Sequence, residues 1–248
     1  MTAWYENDTF WEEVAPVLFT KARMEEAATD VEQILKLLAP APGAALLDMG
    51  CGCGRHCLEF ARRGFRVTGV DRTARYLEMA KSQAAERGLE AEWVRADMRE
   101  FRREGAFDIA VNLLTTFGYF EDTSDDRRIV KNVFDSLAPG GRFLMDIMGK
   151  EILARIYRER DWHEEPDGTI LLEERRATQD WSKLDVRWIV LSGARRCEHR
   201  LALRLYSATD LKTLLADVGF KDVKAYGSLA NAPYDHEARR LVLLGRKA

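Results

Sequence analysis

Three acidic residues and a run of glycines carry the chemistry that this sequence makes available. Residues 46–56 read Leu-Leu-Asp-Met-Gly-Cys-Gly-Cys-Gly-Arg-His, an apolar strand that breaks into a glycine loop and then opens a helix over residues 55–63. Glycines at alternate positions let the backbone turn tightly and approach a ligand with no Cβ in the way. The free N–H groups at the helix start favour an anionic part of that ligand. Asp71 follows the apolar run 65–70, and Asp97 follows the run 91–96. Three strand ends marked by Gly or Asp define one rim of a parallel sheet, where open α/β folds bind their ligands. The spacing therefore predicts a cofactor site.

Which cofactor follows from what the loop lacks. A dinucleotide fingerprint places a third glycine beside the pyrophosphate, and here that position is Arg55. A carboxylate at Asp71 can accept from both hydroxyls of a ribose. One at Asp97 can accept from an adenine amino group folded back over the sheet, which an extended dinucleotide does not need. At these motifs the chain resembles the class I S-adenosylmethionine-dependent methyltransferases. Asp48 through Gly54 match their glycine motif, Asp71 their ribose acid and Ala96-Asp97-Met98 their adenine-side motif. Residues 107–112 resemble their fourth strand, and residues 137–143 the turn into their fifth. The resemblance implies a doubly wound, seven-stranded Rossmann-like sheet that binds S-adenosyl-L-methionine and releases S-adenosyl-L-homocysteine. It implies cofactor contacts from Asp48, Gly50, Cys51, Gly52, Gly54, Arg55 and His56 at the loop, and from Asp71 and Arg72 at the second strand. Asp97 and Met98, then Asn112, Leu113 and Leu114, complete that set.

The motif Asp97-Met98-Arg99-Glu100-Phe101 and the loop Thr115-Thr116-Phe117-Gly118-Tyr119 are also similar to those of small-molecule N-methyltransferases acting on sugar amines or glycine. That similarity implies a small amine as methyl acceptor, or otherwise a hydroxyl. A sulfonium methyl is already activated, so the protein must align the acceptor, exclude water and keep the nucleophile unprotonated. Tyr119, in the loop after the fourth strand, is the first candidate for acceptor contact, with simple ring packing as its competing role. His163 and His199 are candidates for a general base, while His56 falls in the first helical turn after the glycine loop and His236 in a polar turn. Cys51, Cys53 and Cys57 cluster, but their spacing matches no C-x-x-C zinc knuckle, so they read as small packed residues and no metal is expected.

These residues must be positioned by an alternation of strands and helices over residues 41–149. Before it, a helix is predicted over residues 30–38 from the spacing of Val31, Ile34, Leu35 and Leu38, stopped by Pro40 and Pro42. Asp30, Thr73 and Ser124 read as helix starts. Upstream, Trp4, Tyr5, Phe10, Trp11 and Phe19 form an aromatic group, read either as a helix packed on the sheet or as a lid. After a short helix at residues 150–157, strand patterning over 169–178, 184–191 and 196–206 predicts an antiparallel ribbon of three or four strands. A helix at 208–218 and strands at 221–226 and 239–245 close the sheet. The whole is expected as one domain: residues 1–40 a cap, 41–149 the cofactor core, 159–206 an insertion for the acceptor, and 207–248 the closing elements.

Composition sets the class. The chain has 248 residues, 46% hydrophobic and 32% charged, with a formal net charge of −3. That balance gives no general attraction to a phosphate backbone, and the arginines at 155, 158, 160, 195, 196 and 200 are diluted by acidic neighbours. An RNA or protein methyltransferase, or a cofactor-binding member that does not methylate, stays open as an alternative. No run approaches the length of a bilayer span, the first ten residues lack a signal pattern, and a cytoplasmic monomer or homodimer is expected.

Overall fold

The computed structural model describes residues 3–248. A seven-stranded sheet is built from β1 (Ala45–Met49), β2 (Arg66–Asp71), β3 (Glu92–Arg95), β4 (Phe107–Asn112), β5 (Leu137–Ile147), β10 (Lys221–Tyr226) and β11 (Leu241–Arg246). Its spatial order is β10-β11-β5-β4-β1-β2-β3. Strands β1 to β5 pair in parallel, while β11 runs antiparallel to both β5 and β10. The order reverses between β1 and β4, where the carboxyl ends of two neighbouring strands part and leave a crevice. Parallel strands are covered on both faces and so read as apolar runs. Leu46, Leu47 and Met49 of β1 and Ala110 and Val111 of β4 are accordingly fully buried.

Crossover helices α3 (Arg55–Arg62), α4 (Ala74–Glu86) and α5 (Thr123–Ser136) and the later α7 (Ala208–Val218) clothe this sheet. Helix α7 begins with a capping box, Ser207 accepting from the Asp210 N–H and Asp210 from the Ser207 N–H. Two expected helix starts differ. Helix α2 (Lys21–Leu38) begins some ten residues before Asp30, capped by Thr20, whose side chain accepts from the Arg23 N–H. Its first half has no apolar period because only Ala27 there is buried. Helix α5 is capped by Asp122, whose carboxylate accepts from the Ser124 N–H, so Ser124 lies inside the first turn. Thr73 does precede α4, without a side-chain capping bond.

A short helix, α6 (Lys150–Ile156), leads into a second, antiparallel sheet of β6 (Arg160–Glu164), β7 (Ile170–Thr178), β8 (Lys183–Ser192) and β9 (Arg195–Arg204), in that order. Its inner face, with Leu171, Leu184, Val186, Val190 and Leu201, packs on Phe10, Val14 and Val17 of α1 (Asp8–Leu18). Trp4, Phe10 and Trp11 of the leading segment thus pack on this second sheet, while Tyr5 packs against the core of the parallel one. No helix is long and apolar enough to cross a membrane among the described residues.

Candidate active site

The glycine loop is shaped by its own backbone. Gly50, Gly52 and Gly54 have φ of 84°, 55° and 76°, a region that costs an L-residue with a Cβ. The N–H groups of Gly50 and Cys51 donate to the Val70 carbonyl at 2.8 and 3.0 Å, tying the loop to the end of β2. A Cβ on Gly54 would fall 2.5 Å from the Trp93 ring, and one on Gly52 3.3 Å from Phe19. Gly54 therefore packs behind the loop as the cap of α3, while Gly52 faces the leading segment.

The rim acids are held from below. Asp71 accepts from the N–H of Gly52 and of Thr73, each at 2.8 Å. Each oxygen keeps a lone pair free, which suits a vicinal diol. Burial pushes the Asp71 carboxyl up, more than those two backbone bonds lower it. Asp48 is 2% exposed, accepts from the Cys57 thiol at 3.2 Å and is likewise pushed up by burial. Asp97 differs. Burial raises it too, but hydrogen bonds from the Arg99 side chain and N–H, with the Arg99 charge, hold it below the ordinary carboxylate range. Its oxygens lie 2.7 to 3.0 Å from those Arg99 donors. Asp97 also stands two residues beyond the end of β3, and its carboxylate caps the turn there.

One cavity of about 520 Å³ joins these groups. Asp48, Gly50, Cys51, Gly52, Asp71 and Asp97 line it, as do Arg55, His56, Arg72, Met98, Leu113 and Leu114. Asn112 stands behind the wall, donating to the Met49 carbonyl and to the Thr116 hydroxyl at 2.7 Å each. His56 is buried against Asp30 at 3.2 Å. Arg55 donates to the Arg23 carbonyl, and Arg72 donates to the Tyr5 carbonyl at 2.7 Å. Two of the expected cofactor contacts thus also tether the leading segment.

The opposite wall is aromatic. Tyr119 lines the cavity, its ring 4.8 Å from Trp4 and 6.2 Å from Trp11. Phe10 and Trp188, with centroids 6.2 Å apart, continue this wall onto the ribbon, where Leu201 and Leu203 complete it. The structure does not bring His163 or His199 to Tyr119. His163 is on the edge strand β6, half-exposed beside Glu165. His199 is turned to Glu13 of α1 at 2.8 Å and packs on the edge of Phe10. Neither lines the cavity: His199 shares the inward face of β9 with Leu201 and Leu203 but lies further along the strand, against Glu13 and Phe10 of α1, and His163 pairs with Leu171 on the edge strand.

Sequence reasoning missed Tyr76, Asp146 and Arg240, which all line the cavity. Tyr76 donates to the Trp11 carbonyl at 2.5 Å. Asp146 is held by the Arg240 guanidinium, with Nε at 2.7 Å, and accepts from the Leu114 N–H at 3.2 Å. An acid inside the apolar run Phe143-Leu144-Met145-Asp146-Ile147 was the available signal.

Comparison with known proteins agrees with this geometry. A methyltransferase-domain family profile matches residues 46–141, the stretch from β1 through the start of β5. A ubiquinone biosynthesis O-methyltransferase of Caulobacter sp. (strain K31) is 33% identical over 136 residues, 52% of each chain. The chain spans about half to three fifths of the length of the curated relatives it matches. Among solved structures, an S-adenosylmethionine-dependent methyltransferase from Clostridium acetobutylicum ATCC 824 superposes with a TM-score of 0.79 at 16% identity, over 97% of this chain and 98% of the other. The amino pentose methyltransferase CalS10 from Micromonospora echinaspora, solved with S-adenosylmethionine bound, gives 0.66 at 22% identity over 96% of each. These two likenesses concern the fold, and the profile covers the strands whose ends carry the rim acids. Residues 46–141 thus form a methyltransferase domain, and the chain has the fold of the S-adenosylmethionine-dependent methyltransferases.

Proposed function

We propose that this protein methylates the nitrogen of a small amine carried on an apolar or ring-shaped body. The observation that carries the reading is a single cavity with acids on one side and the rings of Trp4, Trp11 and Tyr119 on the other. S-adenosylmethionine, when bound, supplies a methyl group on a sulfonium that leaves as a neutral thioether. Asp71 would hold the ribose hydroxyls, and Asp97 would accept from the adenine edge with the lone pairs that Arg99 leaves free. Residues 50–54 let the backbone come close. The aromatic wall keeps water out and fixes the acceptor, a proximity effect worth several powers of ten.

Deprotonation decides between acceptor atoms. A hydroxyl needs a base at hand, whereas burial among rings by itself disfavours an ammonium and presents the neutral amine. Among the described residues the only histidine lining the cavity is His56, already engaged with Asp30. The relatives fit: a sugar N-methyltransferase and an amino pentose methyltransferase stand among the solved neighbours. An RNA substrate is disfavoured because most ribbon arginines are paired, among them Arg187 with Glu174 and Glu198, Arg175 with Glu173, and Arg195 with Glu13. We place the protein in the cytoplasm, as a monomer or homodimer. The deciding assay incubates it with S-adenosylmethionine and matched pairs of cyclic amines and alcohols, and measures S-adenosylhomocysteine. Turnover of amines alone supports the reading; turnover confined to alcohols or to RNA overturns it.

A further inference from the structure

The loop that presents Tyr119 is gripped from the ribbon by a residue that never reaches the cavity. Arg204, the last residue of β9, donates its backbone N–H to the Gly118 carbonyl at 2.7 Å. Its Nη2 donates to the carbonyls of Phe120 at 3.0 Å and Glu121 at 2.7 Å. Its Nε donates to Asp126 at 3.1 Å. Tyr119 sits between those carbonyls. Asp126 is fully buried in the first turn of α5, where its Oδ2 also accepts from the Tyr206 hydroxyl at 2.7 Å while its Oδ1 has no partner. Gly118 has φ +86°, and a Cβ there would lie 2.8 Å from the Arg204 carbonyl, so the loop wraps closely around this one residue.

The other end of the loop is fixed in the same manner. Leu114 and Thr115 hold φ of 59° and 61°, a conformation that persists only where the surroundings over-determine it. Asp146 supplies that: its carboxylate accepts from Leu114 and its carbonyl from Thr115, while Arg240 grips the carboxylate. Two arginine–aspartate pairs, one from the ribbon and one from the approach to β11, thus bracket residues 113–121.

We infer that Arg204 is a positioning residue, which sets Tyr119 against the acceptor by holding the Gly118–Glu121 carbonyls and so couples the ribbon to the site of methyl transfer. This rests on the reading of the cavity as an N-methylating site. Arg204 lies outside the cavity wall, so any effect of its loss on turnover must pass through the loop. A planar fork that serves two carbonyls and a carboxylate together is specific to arginine, and a lysine cannot replace it.

The test compares wild type with Arg204→Gln, Arg204→Lys and Gly118→Ala. Hydrogen–deuterium exchange needs no acceptor. It should show residues 117–122 exchanging at least tenfold faster in Arg204→Gln while residues 46–56 are unchanged. On the best amine from the screen, kcat should fall tenfold or more in both Arg204 variants, with S-adenosylhomocysteine affinity within twofold. Gly118→Ala, which pushes the loop off Arg204 from the other side, should reproduce the kcat loss if Arg204→Gln does not fold. Unchanged exchange in the loop, or a kcat kept in Arg204→Lys and Gly118→Ala, overturns the inference. If wild type methylates no amine, the functional reading fails, and the exchange experiment still decides whether Arg204 holds the loop.

Discussion

At the scale of the residue, the rim acids divide by what surrounds them. Asp71 is pushed up by burial, so its folded value exceeds its unfolded one, and its neutral form favours folding. Its contribution to stability is therefore present at acid pH and is lost as pH rises through the raised value. Cofactor binding asks for the opposite state, because a carboxylate must be ionised to accept both hydroxyls. Affinity for S-adenosylhomocysteine should thus fall on acidification at a pH above the usual carboxylate range near ~4. Asp97, held down by Arg99, should stay ionised below that range. Calorimetry from pH 8 down through the usual carboxylate range near ~4 checks this, and a flat profile over that whole span in wild type would remove Asp71 from the ribose. Asp71→Ala should weaken binding by about 2 kcal/mol or more, the scale of charge-assisted hydrogen bonds. Part of that loss comes from freeing the Gly52 and Thr73 N–H groups, so Asp71→Asn, which can still accept, should lose less. For Asp97→Asn, the penalty should shrink against an analogue with a carbonyl in place of the adenine amino group; an equal penalty would leave only the turn-capping role.

At the scale of the element, the leading segment and the ribbon behave as one unit. Phe10, Val14 and Val17 are buried against the ribbon core, and Phe10→Ala should cost about 3–5 kcal/mol. Trp4 is half-buried, with its indole N–H on the Ala202 carbonyl at 3.2 Å. Trp4→Ala should therefore lower turnover several-fold while leaving S-adenosylhomocysteine affinity within about threefold, under 1 kcal/mol. Comparable losses in both quantities would show that the segment belongs to the cofactor half alone. A deletion through Phe10 is the poorer experiment, since it removes core together with cavity wall. The histidines separate by element too. His163→Ala should keep the wild-type rate, and His199→Ala should act through the lost Glu13 contact as a change in stability; a pH–rate profile altered by either would restore it as a base. The ribbon and its strand limits were legible because Leu201, Leu203 and Leu205 alternate with partly exposed residues. Where its histidines end up was not, because both fall in the inward phase of their strands, and only the seat of α1 on His199 and the place of β6 at the sheet edge keep them from the cavity. The first half of α2 was hidden for a different reason: its cap is a lone Thr20 and its exposed turns carry no period.

At the scale of the whole molecule, one rim of a parallel sheet was readable from the strand ends at Gly50, Asp71 and Asp97, and the seven strands from the family resemblance. The long-range pairs were not. Arg240 with Asp146 spans 94 positions and Arg204 with Asp126 spans 78, and nothing in local composition announces partners so distant. Binding of a ligand across the crevice should stabilise the folded state as a unit. S-adenosylhomocysteine at a hundredfold excess over its dissociation constant should add about 2.7 kcal/mol. A thermal melt showing no shift for wild type, or an undiminished one for Asp71→Ala, would contradict the site.

The placement of β11 between β5 and β10 has a consequence for how the protein is made. A nascent chain that has emerged as far as α7 already holds the glycine loop, the three rim acids and the ribbon. It leaves β5 with an open edge, however, because the strand that pairs there along residues 142–147 has yet to appear. An open, apolar edge is a template for pairing with another chain. Arg240 arrives immediately before that strand, so the grip on Asp146 and the turn at Leu114 is among the final contacts to form. Synthesis would thus yield a species competent to bind its cofactor before one competent to use it, and the interval between them is when the chain is most exposed to aggregation.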